Sequence, residues 1–173
     1  MNPVNLRSFR RKLSYHKKAF HRFLAKVERK PPGNLHDVVE AIEREVWQEV
    51  DCVTCSNCCR KMTPTFTPAD IKRIAAYTGV STRAFRDKWL YREPGDKDWT
   101  NKNRPCQFLE LDTNRCSIYA VRPGDCSGFP HLDKRDFTDY IHVHQQNILY
   151  CPATYKMVEK MLAKLVVPKS IRE

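Results

Sequence analysis

Four cysteines fall within one short stretch, Cys52-Val-Thr-Cys55-Ser-Asn-Cys58-Cys59, and four more stand at Cys106, Cys116, Cys126 and Cys151. Thiols at this density pair as disulfides or bind metal as thiolates. The choice depends on the redox compartment. The chain opens Met1-Asn2-Pro3 without an apolar stretch ending in a cleavage site, and no run of about 18 apolar residues occurs. We therefore expect no secretory leader, no membrane span and a cytoplasmic setting. Residues 4–30 are basic and nearly free of acids, as mitochondrial presequences are, but they hold few serines and a plain amphipathic helix accounts for them better. Disulfides are rare in the cytosol, which leaves metal ligation as the expected role of all eight cysteines.

Spacing narrows the metal. C-x-x-C lets two sulfurs meet one ion across a tight turn, the knuckle used by zinc. C-x-x-C-x-x-C with a remote fourth cysteine, which Cys151 before Pro152 can supply, is the arrangement of a four-iron cluster. A radical methyl-donor enzyme calls for three residues in the first gap, and here there are two. Cys58 and Cys59 are adjacent, and adjacent side chains usually diverge, so two centres or one multinuclear cluster are expected. Eight thiolates also make two sets of four. An iron–sulfur cluster, 4Fe-4S in kind, is favoured over zinc, and thiolate suits both. A metal-free redox dithiol is a third account of C-x-x-C, without the β-α-β context that would support it. The start of a helix after Cys151 favours a thiolate there.

Other polar residues give weaker signals. Arg122 and Asp125 are candidates to donate to thiolates and balance their charge, although a turn salt bridge accounts for Arg122 nearly as well. His131 lies five residues past Cys126 and can replace a thiolate, but a loop histidine is the simpler account. His142, His144, His16, His21 and His36 read as surface. Trp47, Trp89 and Trp99 read as core or half-buried aromatics. Only five glycines are present, which argues against a glycine-rich phosphate loop, and no nucleophile–base arrangement stands out.

Local sequence shows what must position the cysteines. Phe9, Leu13, Phe20, Phe23, Leu24 and Val27 recur at helical spacing, and Pro31-Pro32-Gly33-Asn34 ends that helix. Leu35, Val38, Val39, Ile42 and Val46 form a second stripe, with Asp37, Glu40, Glu43, Glu45 and Glu49 on its other positions. The net charge is +11, but residues 1–30 carry +9 of it, with ten Lys/Arg and Glu28 alone as acid. The two helices thus read as a hairpin of complementary charge, with a nucleic-acid or anionic-surface patch as the less favoured account. Thr67-Pro68-Ala69-Asp70 is a helix start, Gly79 a left-handed stop and Ser81 a second cap. The corner from Ile74 to Phe85 shares the spacing of DNA-reading helix-turn-helix units, and also of many ordinary helical corners. Residues 104–111 and 116–119 flank a polar turn and predict a short hairpin carrying Cys106 and Cys116. Residues 137–144 are expected as a strand with His142 and His144 on one face. A final helix follows Cys151-Pro152, and residues 166–173 carry no signal.

The Cys52–Cys59 run, the Thr67-Pro68-Ala69-Asp70 helix, Cys106-Gln-Phe-Leu, Cys116-Ser-Ile-Tyr, Arg122-Pro123 with Cys126, Phe129-Pro130 and Cys151-Pro152 together resemble the YkgJ-type cysteine-cluster proteins. Those are described as zinc- or iron-chelating domains, and the resemblance spans roughly residues 50–155. The family is also similar to the cysteine-rich part of flagellin lysine N-methylases, which use an iron–sulfur cluster, although this chain is short for their methyl-donor machinery. We therefore expect an α+β fold, mainly helical with a small β-hairpin, closed around cysteine-bound metal. Residues 1–50 are expected as an N-terminal helical hairpin and 51–173 as the metal-binding domain. The expected function is binding of metal ions in a structural, electron-transfer or accessory role, with a protein partner left open. A cluster-dependent methyltransferase and a nucleic-acid-binding module are the alternatives.

Overall fold

The computed structural model describes residues 4–132 and 137–165, which form two compact units. The expectation for the tail at 166–173 lies outside the described residues. One unit joins the segment up to Asp51 with the segment from Pro130 onward, and the other is Cys52–Phe129. The sequence-based boundary near residue 50 places 130–173 with the cysteine domain; among the described residues, α-helical segments 141–147 and 152–165 pack with the N-terminal helices.

The first unit is helical. Helix α1 (Leu6–Arg29) starts on an Asn5 cap that accepts from Ser8 N, and its buried residues are Phe9, Phe20, Phe23, Leu24 and Val27. Helix α2 (Leu35–Glu49) buries Leu35, Val39, Ile42 and Val46. Both lay their apolar stripes on the long C-terminal helix, whose buried face includes Ala153, Met157, Val158 and Met161. Tyr155 of that helix packs edge-on against Phe9 at 5.7 Å and lies 5.1 Å from Phe20.

Charge is matched differently from the hairpin expectation. Glu45 pairs with Lys160 at 2.9 Å and Lys164 at 2.7 Å, and Glu49 pairs with Lys156 and with Lys160 at 2.9 Å. The partners of Glu45 and Glu49 thus lie on the C-terminal helix rather than on α1, while Glu40 pairs with Arg44 of its own helix. The physical reason is angular: Lys156, Lys160 and Lys164 line the edge of a buried face, whereas the cations of α1 project away from its buried face. Residues 137–144 also differ from expectation. They form a 3-10 turn (Phe137–Tyr140) and an α-helix at Ile141–Asn147 in place of a strand. Phe137, Ile141, His144 and Ile148 are buried, a spacing of three and four, so the helical period governs.

The second unit is made of short pieces. Single-turn helices α3 (Cys52–Cys55) and α4 (Asn57–Lys61) are followed by β1 (Thr65–Phe66), α5 (Pro68–Thr78), α6 (Thr82–Trp89), β2 (Leu90–Tyr91) and β3 (Trp99–Asn101). Strands β4 (Leu109–Glu110) and β5 (Arg115–Cys116) and helix α7 (Gly124–Gly128) complete it; the helix at Ile141–Asn147 is then α8 and the C-terminal helix, Pro152–Leu165, α9. Helix α5 carries the expected capping box between Thr67 and Asp70 and ends on Gly79 at φ 70°, and the Ser81 hydroxyl caps α6 through Ala84 N. The expected hairpin is β4–β5, pairing Leu109 with Cys116. A second sheet, ordered β1-β3-β2 and antiparallel, was not read from the sequence, because strands of two and three residues leave no periodic pattern. Its apolar core is Phe66, Ile71, Ile74, Ala75, Phe85, Leu90, Phe108 and Ile118. Phe85 stacks on Phe108 at 5.9 Å and meets Trp89 edge-on at 4.8 Å.

Candidate metal centre

The cysteine run is broken by Ser56, which holds a left-handed φ of 44° and separates α3 from α4. A non-glycine residue in that region needs local support. Ser56 is buried and its hydroxyl bonds Asn114 Oδ1 at 2.9 Å. Asn114, itself left-handed at φ 58° in the β4–β5 turn, also accepts from Arg60 at 2.6 Å, and Arg60 donates to Leu111 O at 3.1 Å. This clamp holds the run against the hairpin that bears Cys116. A backbone bond from Cys106 N to Cys59 O, 2.8 Å, joins the run to the segment before the hairpin.

Asp70 secures the next cysteine. It is nearly fully buried, accepts from Thr67 N and Oγ1, pairs with Arg73 at 2.7 Å, and accepts from Gly124 N at 3.2 Å at the start of α7, which carries Cys126. Burial opposes its ionisation, but the bonds from Thr67, Arg73 and Gly124 outweigh that and hold its carboxyl below the ordinary range. Sequence inspection identified Asp70 only as a cap. Its second role depends on a residue 54 positions away and leaves no local trace. Ser56, Arg60 and Asn114 were not singled out either, although an asparagine in a polar turn is a recognisable left-handed candidate.

These anchors gather the thiols. None of the eight cysteines is joined in a disulfide. Cys58 Sγ and Cys59 Sγ lie 3.9 Å apart, so the expected divergence of adjacent side chains does not occur. With a zinc–sulfur bond of about 2.3 Å, two thiolates on one tetrahedral ion stand roughly 3.8 Å apart; the vicinal pair has that separation. Cys59 acts electrostatically on Cys106, Cys116 and Cys126, Cys116 acts on Cys106 and Cys126, and Cys106 acts on Cys126. The sulfur contact with Cys58 is the main reason the Cys59 thiol is held down to about 7, against burial and with help from the charge of Arg60. Burial pushes Cys106 up to about 11, and nearby Cys59 and Cys116 add to it. Burial likewise raises Cys116, which Arg122 partly offsets, and raises Cys126 strongly, with Cys59 and Asp125 adding to the effect.

Cys52 and Cys55 occupy the two ends of α3, the first exposed and the second buried. Cys151 is buried in the other unit, immediately before α9, with its N–H on Asn147 O at 2.7 Å. Arg122 donates to Tyr119 O at 2.8 Å and stacks over the Tyr119 ring, and Asp125 accepts from Thr65 N. His142 is exposed, as expected, but His144 is fully buried and stacked on Phe137 at 4.4 Å. Among the described residues no three Cys, His, Asp or Glu side chains are arranged to hold an ion. A closed arrangement around metal is not shown among the described residues.

The donor set nevertheless suits a thiophilic cation: five sulfurs from four segments, two guanidinium groups acting on them, and raised thiol pKa values at Cys106, Cys116 and Cys126 that a dication would reverse. An α+β protein with such a unit falls in the class of cysteine-rich metal chelators. The CxxCxxCC family, described as "Putative zinc- or iron-chelating domain", matches residues 51–148, and the chain belongs to that family. No solved structure matches the chain. No helix among the described residues is long and apolar enough to cross a membrane.

Proposed function

We propose that the unit of residues 52–129 binds one tetrahedral thiolate-held ion, zinc in the first instance, in a structural or accessory role, with ligands drawn from Cys58, Cys59, Cys106, Cys116 and Cys126. The observation that carries this is the 3.9 Å Cys58–Cys59 separation beside three further electrostatically coupled thiols. In a four-iron cluster each cysteine takes a different iron, so a vicinal pair at single-ion spacing favours a mononuclear centre. Arg60 and Arg122 offset the negative charge that four thiolates leave around a dication. When bound, the ion supplies cross-linking of short segments that bury little apolar surface.

A second reading keeps the iron–sulfur cluster and rests on the Cys52, Cys55, Cys58 spacing. It carries an electron-transfer role. Metal analysis and visible absorption of protein produced and kept without oxygen separate the two. A colourless protein with about one zinc per chain supports the first; a brown protein with iron and acid-labile sulfide overturns it. In the zinc case, Cys59→Ser and Cys116→Ser lower the zinc content while Cys151→Ser leaves it unchanged.

A further inference from the structure

The polar face of helix α1 carries a line of cations. Arg7, Arg11, Lys18, Arg22, Lys26 and Arg29 recur at steps of four, seven, four, four and three residues, so they form one line along the helix opposite its buried stripe. Tyr15 stands in the same line, between Arg11 and Lys18, and is 80% exposed. At 1.5 Å per residue the line runs about 33 Å. All six cations are exposed, and among the described residues none has an ion-pair partner; Glu45 and Glu49 of α2 pair with α9 instead. Beside the line, Lys17, Lys18, His21 and Arg22 border a shallow depression, and the buried His21 Nε2 has no hydrogen-bond partner.

We propose that this face of α1 binds single-stranded nucleic acid, its cations tracking the phosphates and Tyr15 stacking on an unpaired base. The charge is complementary and its spacing along the helix is of the order of the distance between successive phosphates of an extended strand. Exposed aromatics among cations are what sequence-tolerant single-strand binding uses. Adsorption to an anionic membrane is the competing account, but a basic amphipathic helix enters lipid through its apolar face, and here Phe20 and Leu24 are fully buried and Phe9 and Val27 nearly so. A duplex keeps its bases stacked and offers Tyr15 nothing.

The test uses the full chain and labelled unstructured 20-nucleotide RNA and DNA strands, a matched duplex, and vesicles containing phosphatidylserine, across a salt series. The single strands are expected to bind, and more tightly than the duplex or the vesicles. Arg11→Glu/Lys18→Glu/Arg22→Glu should weaken binding at least 30-fold and lower the log–log salt slope by about 2, at roughly 0.7 per phosphate contact. The same charge change at exposed positions away from α1, Lys72→Glu/Arg83→Glu/Lys97→Glu, should alter affinity less than threefold. Tyr15→Ala should weaken binding about tenfold with the salt slope unchanged. Circular dichroism and metal content verify each variant, and Arg11→Gln/Lys18→Gln/Arg22→Gln replaces the reversal set if that set misfolds. No binding of single strands at about 50 mM salt, equal losses in the α1 and control sets, an unaffected Tyr15→Ala protein, or tighter binding of duplex or vesicles would each overturn the proposal.

Discussion

The two units solve the problem of stability in opposite ways. In the unit built from α1, α2, α8 and α9, helices of up to 24 residues bury continuous apolar stripes, and Phe20, Leu24, Ile42, Met157 and Met161 are almost wholly removed from water. In the unit of residues 52–129 the longest helix has 11 residues and the strands two or three. Its eight-residue apolar core lies between α5, α6 and the strands, while the cysteine-bearing segments are placed by polar contacts: Asn114 to Ser56 and Arg60, Asp70 to Gly124, Cys106 to Cys59. Elements this short cannot stabilise themselves. A region whose geometry must serve a cation can depend on that cation for its rigidity, whereas a helical core needs only its own side chains.

Removing the metal tests that contrast most severely. Structural thiolate sites are worth on the order of 10–16 kcal/mol, comparable to the whole net stability of a domain, ~5–15 kcal/mol. Chelation should therefore abolish hydrogen-exchange protection of residues 52–129 and leave α1, α2 and α9 protected. Uniform protection after chelation would break the comparison.

The converse is truncation in the helical unit. Phe20→Ala should cost about 3–5 kcal/mol, visible as a lowered denaturation midpoint, with metal content unchanged. A variant that loses metal together with that stability would show the two regions to be coupled.

Acid should also separate them. His144 is fully buried, both its ring nitrogens lack hydrogen-bond partners, and burial, followed by the charges of His131 and His142, lowers it to about 4. The folded chain therefore keeps His144 neutral where the unfolded chain, with an ordinary value near 6.5, binds a proton. Its contribution is fully present above pH 6.5 and is lost as pH falls toward 4, by up to about 3 kcal/mol. His144→Phe should flatten the dependence of α8 amide exchange on pH across that window; an unchanged slope would remove His144 as the cause.

The smallest effect concerns the clamp. Asn114→Gly keeps a residue tolerant of φ 58° but removes the acceptor for Ser56 and Arg60. The expected cost is ~1–3 kcal/mol, with weaker metal retention in a chelator competition and no change in α1 or α9 exchange. Retention equal to wild type would show that the turn backbone alone places Cys116.

Local chemistry was written openly in the chain. The caps at Thr67, Asp70 and Ser81, the left-handed Gly79, the stripes of α1, α2 and α9, the hairpin before Cys116 and the eight thiols all depend on neighbours within a few residues. Pairings across long separations were decided by tertiary structure. Acidic α2 had basic segments on either side of it in sequence, and only packing angles selected α9 over α1. Residues 137–144 satisfy alternation and helical periodicity over so short a span that burial of Phe137, Ile141 and His144 had to choose. The break between α3 and α4 places Ser56 in a left-handed conformation, and a hairpin turn 58 residues later offers its hydroxyl the Asn114 oxygen. Nothing within a few residues of Ser56 specifies that bond, because its energy comes from a partner that only the folded chain brings within reach.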